Sequence, residues 1–136
     1  MALIRVSEAA RFLGVSDDTI RRWTDHGTLT PFRDESGRLA VDGLELATHA
    51  RKLAQLPDDP QRGGSSARNR FVGLVTNVVA DKVMAQVELQ CGPFRVVSLM
   101  SSEAVRDLGL EPGAVATAVV KATTVIIESP KGRATA

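Results

Sequence analysis

The chain has 136 residues, 43% of them hydrophobic and 24% charged, with a formal net charge of +1, which suits one ordinary soluble domain or two very small ones. No apolar run reaches the ~18–20 residues of a membrane span, nothing resembles the apolar core of a signal peptide, and the lone Cys91 excludes an internal disulfide framework; the expectation is a cytoplasmic protein with no membrane partner. The near-neutral balance excludes a strong overall basic field: residues 1–60 hold 8 Lys+Arg against 10 Asp+Glu and residues 61–136 hold 9 against 6, so any contact with nucleic acid must come from a local basic face.

Taken in chain order, Ser7 is placed to cap a first helix with Glu8 in its first turn. Val6, Ala9, Ala10 and Leu13 fall on one face at helical spacing, and Gly14 ends the run. Ser16 caps a second helix, DDTIRRWTDH, whose inner stripe is Ile20 and Trp23 and which Gly27 stops. Two short extended segments then surround the turn signal DESG. Asp42 caps a third helix, GLELATHARKLAQL, with Leu44, Leu46, Ala47, Ala50, Leu53 and Ala54 on its apolar side. Two helices across a short Gly-led turn, followed by a hairpin wing, are the grammar of a helix-turn-helix. His26 and His49 read as surface or cap residues, since neither has a Cys or His partner at ligand spacing.

The segment LPDDPQRGGSS, residues 56–66, carries the Pro, Gly and Ser punctuation of a connection. The expected division is therefore a helical domain over 1–56, a flexible linker over 57–65, a small β domain over 66–130 and a tail over 131–136. In the second domain RFVGLVTNVVA and VMAQVELQ meet at DK, and CGP separates the latter from FRVVSLM. Ser101 caps a short helix, SEAVRDLGL; EPG turns; AVATAVVKATTVIIES supplies one or two final strands. Several of these strands are apolar on both faces, and a lone domain this small buries little of its surface. The surplus apolar faces imply that it closes its core against copies of itself. Cys91 reads as a small packing residue at a strand end, with nothing electropositive beside it.

The stretch IRVSEAARFLGVSDDTIRRWTDHGTL, with the wing that follows, resembles the winged helix-turn-helix of MerR and excisionase-like regulators over roughly residues 3–56. The resemblance implies that the helix at 16–26 enters the major groove of double-stranded DNA. Asp17, Thr19, Arg21 and Arg22 would then occupy its exposed or N-terminal positions, Arg22 meeting a base edge or a phosphate. Ser16 and Thr19 would donate to phosphate, and Arg33 and Arg38 in the wing would grip the backbone. Relatives often carry a basic wing tip of the GGHRR type. The corresponding ESGRLAV has one Arg near two acids, so weak phosphate contact by a single copy is expected.

SARNRFVGLV together with VKATTVIIES resembles the Mop domain, the molbindin member of the TOBE group, over residues 66–129. The matching elements are Ser66-Ala67-Arg68-Asn69, the hydroxyl residue Ser101, DLGLEPG, and Lys121-Ala122-Thr123. The resemblance implies a five-stranded OB-like barrel that binds molybdate or tungstate as an oxyanion between subunits. Such a dianion offers only acceptors, so it needs donors and positive charge. Arg68 and Lys121 supply charge and Ser66, Ser101 and Thr123 supply hydroxyls; the family's contacts also draw on backbone N–H groups, Ala67 and Ala122 stand within its two motifs, and either Ala122 or Thr123 offers the contact there. The fold class expected for the whole chain is α+β.

Joined, the two resemblances imply a molybdate- or tungstate-responsive, DNA-binding transcriptional regulator that assembles through its Mop domains as a homo-oligomer, dimer or hexamer. The alternative is a molybdate storage protein whose helix-turn-helix does not bind DNA. No nucleophile–base pair, metal constellation or phosphate loop stands in the sequence, so no enzyme, catalytic residue, catalytic cofactor or metal site is expected.

Overall fold

The first helix begins where a strand ends. In the computed structural model, which describes residues 1–55, 58–60 and 64–130, Leu3–Arg5 (β1) runs without a break into Val6–Leu13 (α1). The linker expected over 57–65 lies only partly among the described residues, and the tail at 131–136 lies outside them. The chain divides into two units, Met1–Leu56 and Pro57–Ala136.

In the first unit α1 is followed by Asp17–Asp25 (α2), Phe32–Arg33 (β2), Leu39–Asp42 (β3) and Gly43–Leu53 (α3). The three strands form an antiparallel sheet in the order β1-β3-β2. Pairing of Arg5 with Ala40 holds Arg5 extended, so Arg5 rather than Ser7 is the N-cap of α1, and it makes no side-chain cap bond. Ser7 is corrected to the first helical turn, because the strand ladder sets where the helix starts. Gly14 takes φ 67°, the left-handed conformation that closes a helix cheaply only in glycine. Ser16 caps α2 as its spacing predicts, accepting from the Thr19 N–H at 3.1 Å, and Asp42 caps α3 by accepting from the Glu45 N–H at 3.3 Å. Val6, Ala9, Ala10, Ile20, Leu29, Val41 and Leu46 make the core.

Two expectations for α3 fail. Of its predicted apolar side only Leu46 is buried, while Leu44 is 75% exposed and Leu53 49%. Leu46 alone of α3 joins the buried cluster built by α1, α2, Leu29 and β3. His49 is no plain surface residue: its ring stands edge-on to Trp23, centroids 4.6 Å apart, and its Nε2 is buried.

In the second unit Asn69–Ala80 (β4), Met84–Cys91 (β5) and Phe94–Ser101 (β6) precede Ser102–Leu108 (α4) and Val115–Val120 (β7). They form one antiparallel sheet in the order β6-β5-β4-β7, curled into a half-barrel. Strand β4 lends its first half to β7 and its second half to β5, with a register shift between Val75 and Asn77; such a bulge sharpens twist and bends a strand. Val75, Ala85, Val87, Leu89, Cys91 and Val105 are the buried core. Ser101 caps α4 as expected, accepting from the Ala104 N–H at 3.0 Å.

The expected five-stranded barrel is corrected to four strands among the described residues. After Lys121 the chain enters a 3₁₀ turn at Ala122–Thr124, and the Thr124 hydroxyl donates to the Lys121 carbonyl at 2.8 Å. The turn leads Val125, Ile126 and Ile127 off the sheet, where the two isoleucines are about 85% exposed. β-branched residues favour a strand, but a strand also needs a neighbour to pair with, and the free edges of β6 and β7 do not take this segment up.

Candidate DNA interface and oxyanion site

In the first unit, Asp17, Arg21, Arg33 and Arg38 line a cleft of about 410 Å³ together with Arg5 and Ser7. The cleft draws from the end of β1, the first turn of α1, helix α2 and the two sides of the wing. Four guanidiniums and one carboxylate around one depression form a local basic face on a unit whose overall charge is not basic. Arg21, one turn along from Asp17, reaches the cleft; Arg22 faces another side of α2 and does not line it. Ser16 and Thr19 also stand apart, their hydroxyls 3.0 Å from one another while Ser16 caps the helix.

Sequence reasoning missed Arg5 and Ser7. No pattern announces a strand of three residues, and only its pairing with β3 brings Arg5 to the cleft. Arg5 Nε donates to Asp34 Oδ2 at 3.2 Å. The second oxygen of Asp34 accepts from the N–H groups of Ser36 and Arg38, at 2.8 and 2.9 Å. Those contacts, the Arg38 N–H foremost, hold the Asp34 carboxyl below the ordinary carboxylate range.

In the second unit, the ladder registers Asn69 against Val120, and the Asn69 side chain donates to the Val120 carbonyl at 3.1 Å. The residues flanking this last rung are Arg68 on one strand and Lys121 on the other, so the two motifs are brought side by side at one end of β4. Ser66, Arg68, Lys121, Ala122 and Thr123 are exposed there and Ala67 is half-buried. Among the described residues neither Arg68 nor Lys121 has an ion-pair partner. The nearby Asp59 carboxylate is engaged by the Arg70 guanidinium.

Ser101 is elsewhere. It pairs with Met84, beside the Ala80–Ala85 rung at the other end of β4. β4 has 12 residues, and strands rise roughly 3.3 Å per residue. A single copy therefore does not gather all seven residues singled out for the oxyanion. Cys91 is buried, donates weakly to the Phe71 carbonyl at 3.5 Å, and burial pushes its thiol pKa up, away from reactivity. Among the described residues no group of three or more His, Cys, Asp or Glu is placed to hold a metal ion, and no helix is long and apolar enough to cross a membrane.

The TOBE domain family matches residues 65–127. Molybdenum-pterin-binding protein 2 of Clostridium pasteurianum is 41% identical over 63 residues, which cover 46% of this chain and 93% of that protein. The chain belongs to the TOBE domain family. The TOBE unit is also 38% identical over 63 residues to molybdenum-pterin-binding protein 1 of the same organism, again covering 46% of this chain and 93% of the relative. A solved molybdate-binding protein from Sporomusa ovata aligns with 31% identity over 49% of this chain and all of its own, with a TM-score of 0.48. Ahead of the TOBE unit, the MerR family of regulatory proteins matches residues 5–38, which take in α1, α2 and the wing turn. The chain thus joins a MerR-family helix-turn-helix region to a TOBE/Mop domain, and neither family is a catalytic one.

Proposed function

We propose that this protein is a molybdate-responsive transcriptional regulator, with tungstate as an equivalent ligand, in which TOBE units of two or more copies share each oxyanion. The observation that carries the reading is the register of β4 with β7. It sets Arg68 beside Lys121, two exposed cations with no ion-pair partner among the described residues, within the motifs that also carry the hydroxyls of Ser66 and Thr123. A tetrahedral dianion offers acceptors in every direction and is met by such donors. Ser101, at the end of β6 and near the far end of β4, serves the site of a neighbouring copy. Its hydroxyl already accepts from the Ala104 N–H and keeps its own proton to donate.

The unpaired edges of β6 and β7, with the exposed apolar side chains along the sheet, favour assembly through this unit. The arginine-lined cleft of the first unit supports DNA binding: Arg21 enters the major groove with α2 while Arg33 and Arg38 meet the phosphates. Coupling between ion and DNA runs through the oligomeric state. The ion acts as effector only if it favours one arrangement of copies over another.

Calorimetric titration with molybdate, with sulfate as competitor, tests the oxyanion site. Tight binding that sulfate does not displace, and that is lost in both Arg68→Ala and Lys121→Ala, is expected. Heat that sulfate abolishes equally removes molybdate from the reading. DNA retention at moderate salt, measured with and without the ion, then separates a regulator from a storage protein, which retains none.

A further inference from the structure

Asp34 is an acid on the wing turn, beside the arginine-lined cleft and in contact with Arg5. By Coulomb's law alone it opposes the approach of a phosphate. Its contacts describe a different part. The residue closes the wing turn twice over: its backbone N–H donates to the Arg38 carbonyl at 2.9 Å, and its Oδ1 accepts from the Arg38 N–H at 2.9 Å. Its carbonyl accepts from the Gly37 N–H at 2.9 Å, and Gly37 turns back at φ 78°. The other carboxylate oxygen reaches Arg5 on β1.

Strands β1 and β2 never pair with each other; both pair with β3, and both meet it at Ala40. The Asp34–Arg5 contact is a side-chain tie between these two edges. It joins the wing turn with Arg38, which lies beyond the last β1–β3 rung at Arg5 and Ala40, to the end of β1 with Arg5. Arg21 and Asp17 come to the same cleft from α2, which is fixed by the core.

We propose that Asp34 is a positioning residue for DNA binding, setting Arg5 and Arg38 against one cleft so that both meet the same stretch of phosphate backbone. The inference rests on the DNA-binding reading above and assigns a contact to Arg5 as well. The two alternatives for Asp34 differ in sign. A bystander acid, once removed, leaves a more basic surface that binds DNA more tightly; a positioning acid, once removed, leaves a more basic surface that binds more weakly.

The test uses the full chain and a mixed-sequence duplex two helical turns long, since phosphate contacts need no particular operator. Fluorescence anisotropy gives affinity as a function of salt for wild type, Asp34→Ala, Asp34→Asn and Arg5→Ala. Asp34→Ala and Arg5→Ala are each expected to weaken binding by about three- to tenfold, the range of one lost contact, and to lower the salt slope by roughly 0.9. Asparagine keeps an oxygen for the Ser36 and Arg38 N–H groups and loses only the charge that holds Arg5, so Asp34→Asn is expected between wild type and Asp34→Ala.

A role in wing stability alone shifts unfolding without changing the salt slope, and that result overturns the proposal. So does either Asp34 variant binding as tightly as wild type or more tightly; Asp34→Asn decides if Asp34→Ala fails to fold. A wild-type chain that does not bind the duplex overturns the DNA-binding reading, and this inference with it.

Discussion

Gly73 shows how much one methyl group decides in this chain. A Cβ at this position would lie 2.4 Å from the Gln90 carbonyl oxygen and 2.7 Å from Cys91 Sγ, contacts that no side chain tolerates. Gly73→Ala is expected to force β4 and β5 apart where β4 hands over from β7 to β5, and to destabilise the TOBE unit by about 1–3 kcal/mol, the usual cost of overpacking; chemical denaturation followed by circular dichroism measures it. The sequence shows a glycine in a Val-rich run, and nothing in the run says which neighbouring strand comes so close. Other single residues were plain in it. Ser16, Asp42 and Ser101 each stand at the start of a periodic run with an acid or hydroxyl in the following turn, and each is a cap in the structure. Such signals are local, within four residues. Arg5 and the Trp23–His49 contact escaped because they depend on elements far apart in the chain.

The elements are tied at their turns by two aspartates that do the same work. Asp34 accepts from the N–H groups of Ser36 and Arg38 in the wing, and Asp81 from those of Val83 and Met84 between β4 and β5, at 2.8 Å each. The hydrogen bonds lower both carboxyl pKa values from the ordinary 3.8. A carboxylate that is more acidic folded than unfolded stabilises the fold above its unfolded pKa and ceases to do so as pH falls through its folded one. Their contribution to stability is therefore expected to be full and constant near neutrality and to decline as pH drops below about 3.8. Asp81→Asn, which keeps an acceptor but cannot titrate, is expected to flatten that decline in denaturation curves measured across acid pH. Elements bounded by capping or turn chemistry were legible from composition and period. The final strand was not, because TTVIIE has strand-forming residues and its state depends on an edge to pair with, which no pattern within the segment reports.

Across the whole molecule, the two units give separable signals. The single Trp of the chain, Trp23, lies in the first unit against His49, so its fluorescence reports the helix-turn-helix region alone. Molybdate is expected to raise the calorimetric unfolding temperature of the TOBE unit, by the equivalent of about 2.7 kcal/mol at a hundredfold excess over its dissociation constant, and to leave the Trp23 transition in place. A matching shift of the Trp23 transition would show that the ion is felt by the DNA-binding unit directly. The division of labour was legible in the change of rhythm between residues 6–56 and 69–129, and the arrangement of the oxyanion residues was not. Seven residues in family order look like one pocket until Ser101 is placed at the opposite end of β4 from Arg68 and Lys121. Pockets made by two molecules obey mass action in protein as well as in ion. On the proposed reading, in which copies share each oxyanion, the threshold of response moves with the protein's own abundance, and a cell that makes more of it would detect scarcer molybdate without changing a single residue.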